Sequence, residues 1–326
     1  MRTAGSPAAT PATHIVGPVP VLARLAGLAA VVAGLLLLLG RFPPYVDVGG
    51  VQVSPPHGPL DIAAVLLWPG SIAAAGVSVI LGRLPRLGLA VLAASGAVAI
   101  GLSAGELYQL QDADSHRGVE IFFGQRLVTS SLQPLAGVWV QLTAYILLVV
   151  VLVLTLLSWS GTTMDDAGDF DGQRPRVMGL SALTGLIGAL AVAARPQDVP
   201  DQVLQSVTGF RTTVEVPGEV SLLDRLGLDL LGGALLAVAV FAVALLAATW
   251  RPRLAAVGGL AGLAAYFLSA GLLLLLETGR YADVVAAPGG WLHLLAGVGF
   301  AGLAGYCLRA GGRTPPDRIP VPVRRK

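Results

Sequence analysis

Eight apolar stretches, each long enough to cross a lipid bilayer, divide this chain of 326 residues. Because about 20 residues of α-helix rise about 30 Å, each stretch matches the hydrocarbon thickness of a membrane. None of them alternates polar and apolar residues as a barrel strand does, so helices are left as the way to satisfy the backbone in lipid. The sequence therefore predicts an all-α integral membrane protein, with transmembrane helices at 19–40, 60–82, 87–108, 134–158, 178–194, 226–249, 254–276 and 290–309.

The composition agrees with this class. Hydrophobic residues make up 55% of the chain and charged residues 12%, whereas a soluble domain carries about 25% charged residues. Twenty arginines stand against one lysine, and asparagine is absent. We interpret this bias as the codon usage of a GC-rich genome of actinobacterial type, and therefore predict no nucleic-acid partner. The single cysteine, Cys307, cannot form a disulfide within the chain.

The connections between the stretches define five predicted segments. The first stretch has no nearby cleavage site, so we predict a retained helix and not a signal peptide. The fifth stretch is the shortest, and we expect it to extend past Arg195. The segments are an N-terminal cytoplasmic tail at 1–18, a first four-helix unit at 19–158, an acidic cytoplasmic linker at 159–177, a second four-helix unit at 178–309 and a basic cytoplasmic tail at 310–326.

Two short basic turns set the predicted orientation. One contains Arg83 and Arg86, and the other contains Arg251 and Arg253. Arginine-rich short loops stay on the cytoplasmic side of a membrane. We therefore predict a protein of the cytoplasmic (inner) membrane with both termini in the cytoplasm and the longer loops outside.

The two predicted units repeat one another at an offset of 166–168 residues. Because each unit has four spans, both point the same way, which predicts a parallel duplication. The matched segments are Val46-Asp47-Val48-Gly49-Gly50 with Val214-Glu215-Val216-Pro217-Gly218, Leu60-Asp61 with Leu228-Asp229, Pro85-Arg86-Leu87 with Pro252-Arg253-Leu254, and Leu102-Ser103-Ala104-Gly105 with Leu268-Ser269-Ala270-Gly271.

The first outer loop of each unit contains a short β-favouring stretch. In the first unit, residues 45–53 alternate around Gly49 and Gly50, a pattern typical of a hairpin. In the second unit, residues 212–216 are similar. We expect a small extracellular β element in each unit, with the two elements pairing across the pseudo-twofold.

This layout resembles the claudin-like tetraspan unit, which has a strand-bearing first outer loop and a tight inner turn. The Gly-Trp-Leu at 290–292, which opens a last helix rich in Gly, Ala and Leu, also resembles small four-span membrane proteins associated with tryptophan operons in actinobacteria. Both resemblances imply four-helix units in a membrane, and neither transfers a function or a site residue.

Six polar residues are candidate functional residues. Asp61 and Asp229 open the second helix of their units, where they could receive a cation or proton or could simply cap the helix. Glu106 and Glu277 end the third and seventh helices. Buried acids there would be functional, whereas acids at the membrane interface need only water or an arginine such as Arg225 or Arg280. The remaining two candidates are Gln141 and His293.

Gln141 on the fourth helix is a possible interhelical hydrogen bonder. His293 could relay protons or bind haem, but no second intramembrane histidine completes a bis-His site, so we favour a hydrogen-bonded interfacial residue. Asp112, Asp114 and His116 carry the ligand chemistry of a divalent-cation site. The acidic run at 165–172 partly resembles a calcium loop. We interpret both clusters as solvated loop charges and predict no metal and no cofactor.

Small residues and one proline mark the helices themselves. Pro69, between Trp68 and Gly70, predicts a kink in the second helix that serves packing. Ladders of small residues permit close helix contact, either inside the bundle or with another membrane subunit. The ladders are Gly101-x3-Gly105, Gly258-x3-Gly262 and Gly297-x3-Ala301-x3-Gly305.

The sequence contains no Walker motif, no Gly-x-Ser-x-Gly, no His-Glu-x-x-His and no intramembrane lysine. We therefore expect a non-enzymatic membrane protein that acts as a scaffold or accessory subunit, with the lipid bilayer and other membrane proteins as partners. The alternative is a transporter or lipid-binding permease with a pathway between the two units.

Overall fold

A computed structural model places most of the chain. The tails and several loop segments fall outside the part that it describes. The described residues are 15–48, 51–53, 55, 58–111, 119–122, 125–128, 132–166, 171–200, 202–205, 211–214, 221–225, 227–280 and 284–310.

Within these residues the chain forms eight helices that are long and apolar enough to cross a membrane. The chain is a multi-pass, all-helical membrane protein, as the hydropathy pattern predicts. The helices are α1 Val21–Leu39, α2 Pro59–Ile80, α3 Pro85–Gln109, α4 Ala136–Trp159, α5 Arg174–Ala193, α6 Gly227–Ala247, α7 Arg253–Arg280 and α8 Pro288–Ala310.

Two helix bounds differ from the prediction by four residues, the start of α5 (174 against 178) and the end of α7 (280 against 276). Helix α5 ends before Arg195 and gains its length at the opposite end, where it begins at Arg174, so the expected extension past Arg195 is wrong. Proline at the second position of α5 is compatible with a helix start, because the first-turn N–H groups have no intrahelical partner. Helix α7 runs to Arg280, so Glu277 lies inside it.

Helix α1 buries its small residues and exposes most of its large ones. In α1, Ala23, Ala26, Ala30 and Ala33 are fully buried, whereas its exposed residues include Val21, Leu25, Leu28, Val32 and Leu35. Water would make this arrangement unfavourable, but lipid is as apolar as leucine. Helices in a bilayer therefore associate through the close approach of small side chains.

The helices pack as two groups of four that share an extensive contact. In the first group α1 packs on α2 and α4, and α3 packs on α4 and α2. In the second group α5 packs on α6 and α8, and α7 packs on α8 and α6. The groups meet where α3 lies against α6 and α7, and where α2 lies against α7. Helices α3 and α7 are therefore central to the bundle, and they carry the largest number of buried residues.

The helices alternate in direction, so the bundle has two ends with different connections. We call the end with the tight turns at 81–84 and 248–252 the turn end. The opposite end, with the longer connections at 40–58, 110–135, 194–226 and 281–287, is the loop end.

Short antiparallel strands cap the bundle. They are β1 Ile15–Val16, β2 Val46–Val48, β3 Val51–Val53, β4 Val119–Phe122, β5 Gln125–Val128, β6 Leu132–Pro134, β7 Met164–Asp165, β8 Gln197–Asp198, β9 Gln202–Gln205, β10 Arg211–Val214 and β11 Val285–Ala286.

The predicted hairpin around residues 49–50 is present, with Val46 opposite Val53. A third strand, β6, joins it on the other side of β2. In the second group, β10 pairs with β9, so each element pairs with a neighbour in its own half. The expected pairing between the two elements does not occur in the described strands. At the turn end, β1 pairs with β7 and brings the chain before α1 against the segment after α4.

Candidate functional site

A polar cluster lies at the loop end of the first four helices. Tyr45, which follows α1, donates a hydrogen bond of 2.6 Å from its hydroxyl to Oε2 of Glu106 in the last turns of α3. Burial raises the pKa of the Tyr45 hydroxyl above its usual value, and the adjacent Glu106 raises it further. Tyr45 therefore stays protonated and acts as a donor. Glu106 is 8% exposed. Its hydrogen-bond partner is a tyrosine rather than the water or arginine expected from the sequence.

Beside this cluster is a pocket of about 30 Å³ where α1, α2, α4 and α7 meet. About 10–15 Å³ of such volume holds one water molecule, so the pocket has room for about two. The lining combines one cation, three hydrogen-bonding side chains, an indole and aliphatic groups. These residues are Leu37, Arg41, Val65, Trp68, Pro69, Gln141, Tyr145 and Ser269.

Arg41 supplies the positive charge of the pocket. It follows the last turn of α1, and its charge acts on Tyr45 and on Glu106. Among the described residues Arg41 has no salt bridge within 4 Å and no side-chain hydrogen bond. Arg41 therefore lines the pocket with a guanidinium whose N–H groups are not used by the described residues.

Gln141 lines the pocket from α4, one helical turn before Tyr145. The Tyr145 hydroxyl donates to Oε1 of Gln141 at 3.3 Å, so the expected interhelical hydrogen bond is replaced by a bond within α4. Both side chains are buried. The amide nitrogen of Gln141 has no protein acceptor in the described part of the chain.

Aromatic rings brace the pocket from the side of α2. The ring of Trp68 lies 6.3 Å from that of Tyr145 and 5.2 Å from that of Tyr266, the latter edge-on. Its indole nitrogen donates to the Ser95 hydroxyl at 3.2 Å. Pro69 lies inside a continuous α2 and has no N–H to donate to the carbonyl of Val65, which also lines the pocket.

Asp61 joins the two groups of helices at the loop end. Its Oδ2 accepts a bond of 2.5 Å from Arg280 of α7 and one of 2.8 Å from the backbone N–H of Gly58. The side chain is 3% exposed, and Oδ1 is buried without a partner among the described residues. Asp61 is thus a helix cap, as one interpretation of the sequence predicts, and also an ion-pair partner of Arg280.

Asp229 occupies a different environment. Arg225, four residues earlier, donates to it at 3.3 Å, and the Asp229 side chain is 27% exposed. Glu277 accepts from the amide of Gln197 at 2.9 Å, and the same amide donates to the carbonyl of Leu274. None of the four candidate acids lines the pocket, but the charge of Arg41 in its lining acts on Glu106.

His293 lies away from the pocket, in the first turns of α8. Its Nδ1 is 2.8 Å from the carbonyl oxygen of Gly289, and its ring is 5.5 Å from that of Phe267. This agrees with a hydrogen-bonded histidine. In the described ranges no three His, Cys, Asp or Glu residues form a group that could hold a metal ion. Asp112, Asp114 and His116 lie outside those ranges.

The turn end carries a second set of contacts that the sequence did not reveal. Arg253 at the start of α7 donates to both carboxylate oxygens of Asp166, at 2.9 and 3.3 Å, and to the carbonyl of Leu308. The Asp166 side chain is 1% exposed. Asp166 is therefore a buried ion-pair partner, and its interpretation as a solvated linker charge is wrong. Residues 167–170 of that acidic run lie outside the described part.

Arg86 at the start of α3 makes a related contact. Its Nε donates to the carbonyl of Thr162 at 2.6 Å, and its guanidinium lies 4.6 Å above the centre of the Trp159 ring. Both arginines, Arg86 and Arg253, thus tie the start of a central helix to the end of the helix that follows it.

Comparison of the chain with protein-family models, with curated proteins and with solved structures finds no match. The function is therefore inferred from the geometry of the chain itself.

Of the residues that line the pocket, Gln141 was named from the sequence as a candidate functional residue. Arg41, Tyr145 and Ser269 were not named as candidates. Two signals were present. Arg41 is the first charge after the uncharged residues 25–40, and Tyr145 lies one helical turn after Gln141. Ser269 gives no such signal, because it reaches the pocket from a helix more than 100 residues away along the chain.

Proposed function

We propose that this protein is a non-catalytic scaffold or accessory subunit of a membrane complex, located in the cytoplasmic membrane. The observation that carries this proposal is the tight contact between the two groups of helices. A side-chain carbon on Gly101 of α3 would lie 2.5 Å from the backbone nitrogen of Leu236 of α6, and one on Gly232 would lie 2.7 Å from the backbone nitrogen of Gly105. Contact of this closeness favours a closed bundle over a pathway between the groups.

The position of the ionisable groups also supports a scaffold. Asp61, Asp229 and Glu277 bind partners within the chain at the loop end, and Glu106 is held by Tyr45. A permease needs polar groups that a substrate can reach through the membrane. The pocket beside Arg41 favours that alternative, but a volume of about 30 Å³ is small for a transport route.

The outer surface of α8 offers a contact site for a helix of another membrane protein. Gly302 and Gly305 have no neighbouring atoms within 4 Å of where a side chain would begin. In contrast, Gly297, which belongs to the same small-residue ladder as Gly305, packs against Leu268 of α7. The ladder therefore divides into an internal part and a free part, and we propose that the free part contacts the partner.

The proposal includes the duplicated architecture and its orientation. Matching contacts support a duplication. The segment after the first helix of each half bonds the acid near the end of the third, through Tyr45 to Glu106 and through Gln197 to Glu277. The basic turns at 83–86 and 251–253 support a cytoplasmic turn end, with both termini on that side and the β elements outside.

Photocrosslinking in the membrane of the producing cell tests the scaffold. A benzoyl-phenylalanine replaces Gly302 in one sample and the lipid-facing Leu28 of α1 in the matched control. We expect one protein adduct of defined mass at position 302, absent from position 28 and suppressed by Gly305→Leu. Lipid adducts alone at both positions would overturn the proposal, and a solute flux in proteoliposomes would favour the permease.

A further inference from the structure

We propose that the pocket between α1, α2, α4 and α7 binds a singly charged oxyanion group, either a carboxylate or the phosphodiester of a lipid head group. This site is independent of the scaffold role, because it lies inside the bundle and not on the free face of α8. The inference rests on the donors that line the pocket and on the charge beside it.

Arg41 is the first of these donors. A guanidinium carries five N–H groups in a planar fork, which matches the two oxygens of a carboxylate or phosphate. The charge of Glu106 acts on Arg41 only at longer range. Arg41 is half-buried and has no ion pair within 4 Å among the described residues, so it lacks close compensation for its charge. An anion in the pocket supplies that compensation.

Gln141 and Ser269 complete the set of donors. Both are more than nine-tenths buried. The Gln141 amide oxygen already accepts from Tyr145, which leaves its nitrogen to donate. Ser269 also differs from Ser103, its counterpart in the repeat. The Ser103 hydroxyl bonds the carbonyl of Ala99 in its own helix, whereas the Ser269 hydroxyl has no such bond in the described part of the chain and lines the pocket.

The charge near the pocket limits the ligand to one negative charge. Among the described lining residues Arg41 is the only cation, and its charge already acts on Glu106. Tyr45 holds the Glu106 carboxylate by a hydrogen bond at the edge of the cluster. A monoanion would share this one cation with Glu106, whereas a dianion would add a further negative charge that no second cation among the described lining residues offsets.

The size of the pocket restricts what enters it. A volume of about 30 Å³ accepts the oxygens of one acidic group, so the rest of a larger molecule stays outside. The aliphatic side chains of Leu37 and Val65 in the lining suit the carbon next to such a group. Because Pro69 has no N–H to donate, the Val65 carbonyl receives no backbone hydrogen bond from it and can accept one from a water beside the anion.

Native mass spectrometry on the full chain released from nanodiscs tests the proposal. The nanodiscs contain equal amounts of phosphatidylglycerol, a monoanionic phosphodiester, and zwitterionic phosphatidylcholine. In a second arm, tryptophan fluorescence follows a titration with sodium acetate, and Trp68→Phe assigns the signal to the pocket. Arg41→Gln removes the cation, and Arg83→Gln at the exposed turn is the control with the same change of net charge.

For a lipid ligand we expect at least about 10-fold preference for phosphatidylglycerol in the wild type, lost in Arg41→Gln and kept in Arg83→Gln. For a free acid we expect no lipid preference but saturable acetate binding that Arg41→Gln weakens by at least about 10-fold. Ser269→Ala should weaken either ligand about threefold, and it decides the question if Arg41→Gln does not fold. Equal binding by wild type and variants in both arms overturns the proposal.

Discussion

Arg280 near the end of α7 donates to the carboxylate of Asp61 at the start of α2, across 219 residues of sequence. Their contact joins the two groups of helices at the loop end. It also distinguishes Asp61 from Asp229, its counterpart in the proposed repeat, which pairs with Arg225 only four residues away. Two acids that match in sequence therefore contribute differently to the fold.

Replacement of these two acids should separate their roles. Asp61→Ala removes a buried partner of Arg280 and the cap of Gly58, and it should lower the free energy of unfolding by about 2–4 kcal/mol. Asp229→Ala removes a more exposed pair within one helix end and should cost less than about 1 kcal/mol. Unfolding in detergent micelles by a graded denaturant measures both. Equal losses would show that Asp61 does not join the two groups.

Glycine substitutions should report the contact between the two groups. A side-chain carbon at Gly258 of α7 would overlap the carbonyl oxygen of Leu87 in α3, so Gly258→Ala should destabilise the protein by about 1–3 kcal/mol. Gly70 in α2 has open space around it. There, alanine should leave the stability unchanged or raise it by up to about 1 kcal/mol, because it favours the helix.

The two glycine variants are compared through their unfolding midpoints in the same micelles. Opposite signs at Gly258 and Gly70 are the expected outcome. A Gly258→Ala variant as stable as the wild type would mean that α3 and α7 do not approach this closely.

The hydroxyl of Tyr45 should give a pH dependence of stability. Its pKa is raised above the usual 10.0 in the folded protein, so the unfolded state loses this proton first as the pH rises. The stabilisation is fully present below pH 10 and falls as the pH increases beyond it.

Tyr45→Phe removes the titrating group together with its bond to Glu106. We expect the variant to be less stable than the wild type by about 1–2 kcal/mol at pH 8, with a smaller decline between pH 9 and 11. The free energy of unfolding of both proteins is measured at a series of pH values. The difference between them reports Tyr45 alone, because the other tyrosines are present in both. Parallel pH profiles would contradict it.

Removal of one partner of the ion pair between Arg253 and Asp166 at the turn end should strongly lower the free energy of unfolding. Asp166→Ala leaves Arg253 buried without its carboxylate, and the expected loss is about 3–5 kcal/mol, or failure to fold. Asp171, which pairs with Arg174 and Arg251 but has an exposed side chain, is the matched control, and Asp171→Ala should change the midpoint little. Arg253→Lys keeps the positive charge and should lower the stability by less than Asp166→Ala does. It should still be less stable than the wild type, since lysine cannot donate to both carboxylate oxygens from a fixed fork.

Much of the architecture could be predicted from the sequence because membrane insertion depends on local hydropathy. All eight predicted stretches correspond to helices, and the hairpin around residues 49–50 follows from its turn residues. The start of α5 was predicted too late because residues 174–177 had been assigned to the linker at 159–177. The structure includes Pro175 in the first turn of α5, where proline is well tolerated.

The polar contacts were predicted less well. The candidate acids were named, but the partners of Asp61, Glu106 and Glu277 come from other helices or loops. The pocket was missed for the same reason, since Arg41 and Ser269 meet only after α1 and α7 have packed.

The sequence by itself determined that the chain has eight helices long and apolar enough to cross a membrane, and which residues are small enough to let those helices touch. Hydropathy and side-chain size act within a few residues, so they can be read along the chain. Only the tertiary structure decided that Asp61 binds Arg280, that Asp166 is buried against Arg253, and that a pocket forms beside Arg41. Such contacts depend on distances between helices that are set by the packing of the whole bundle.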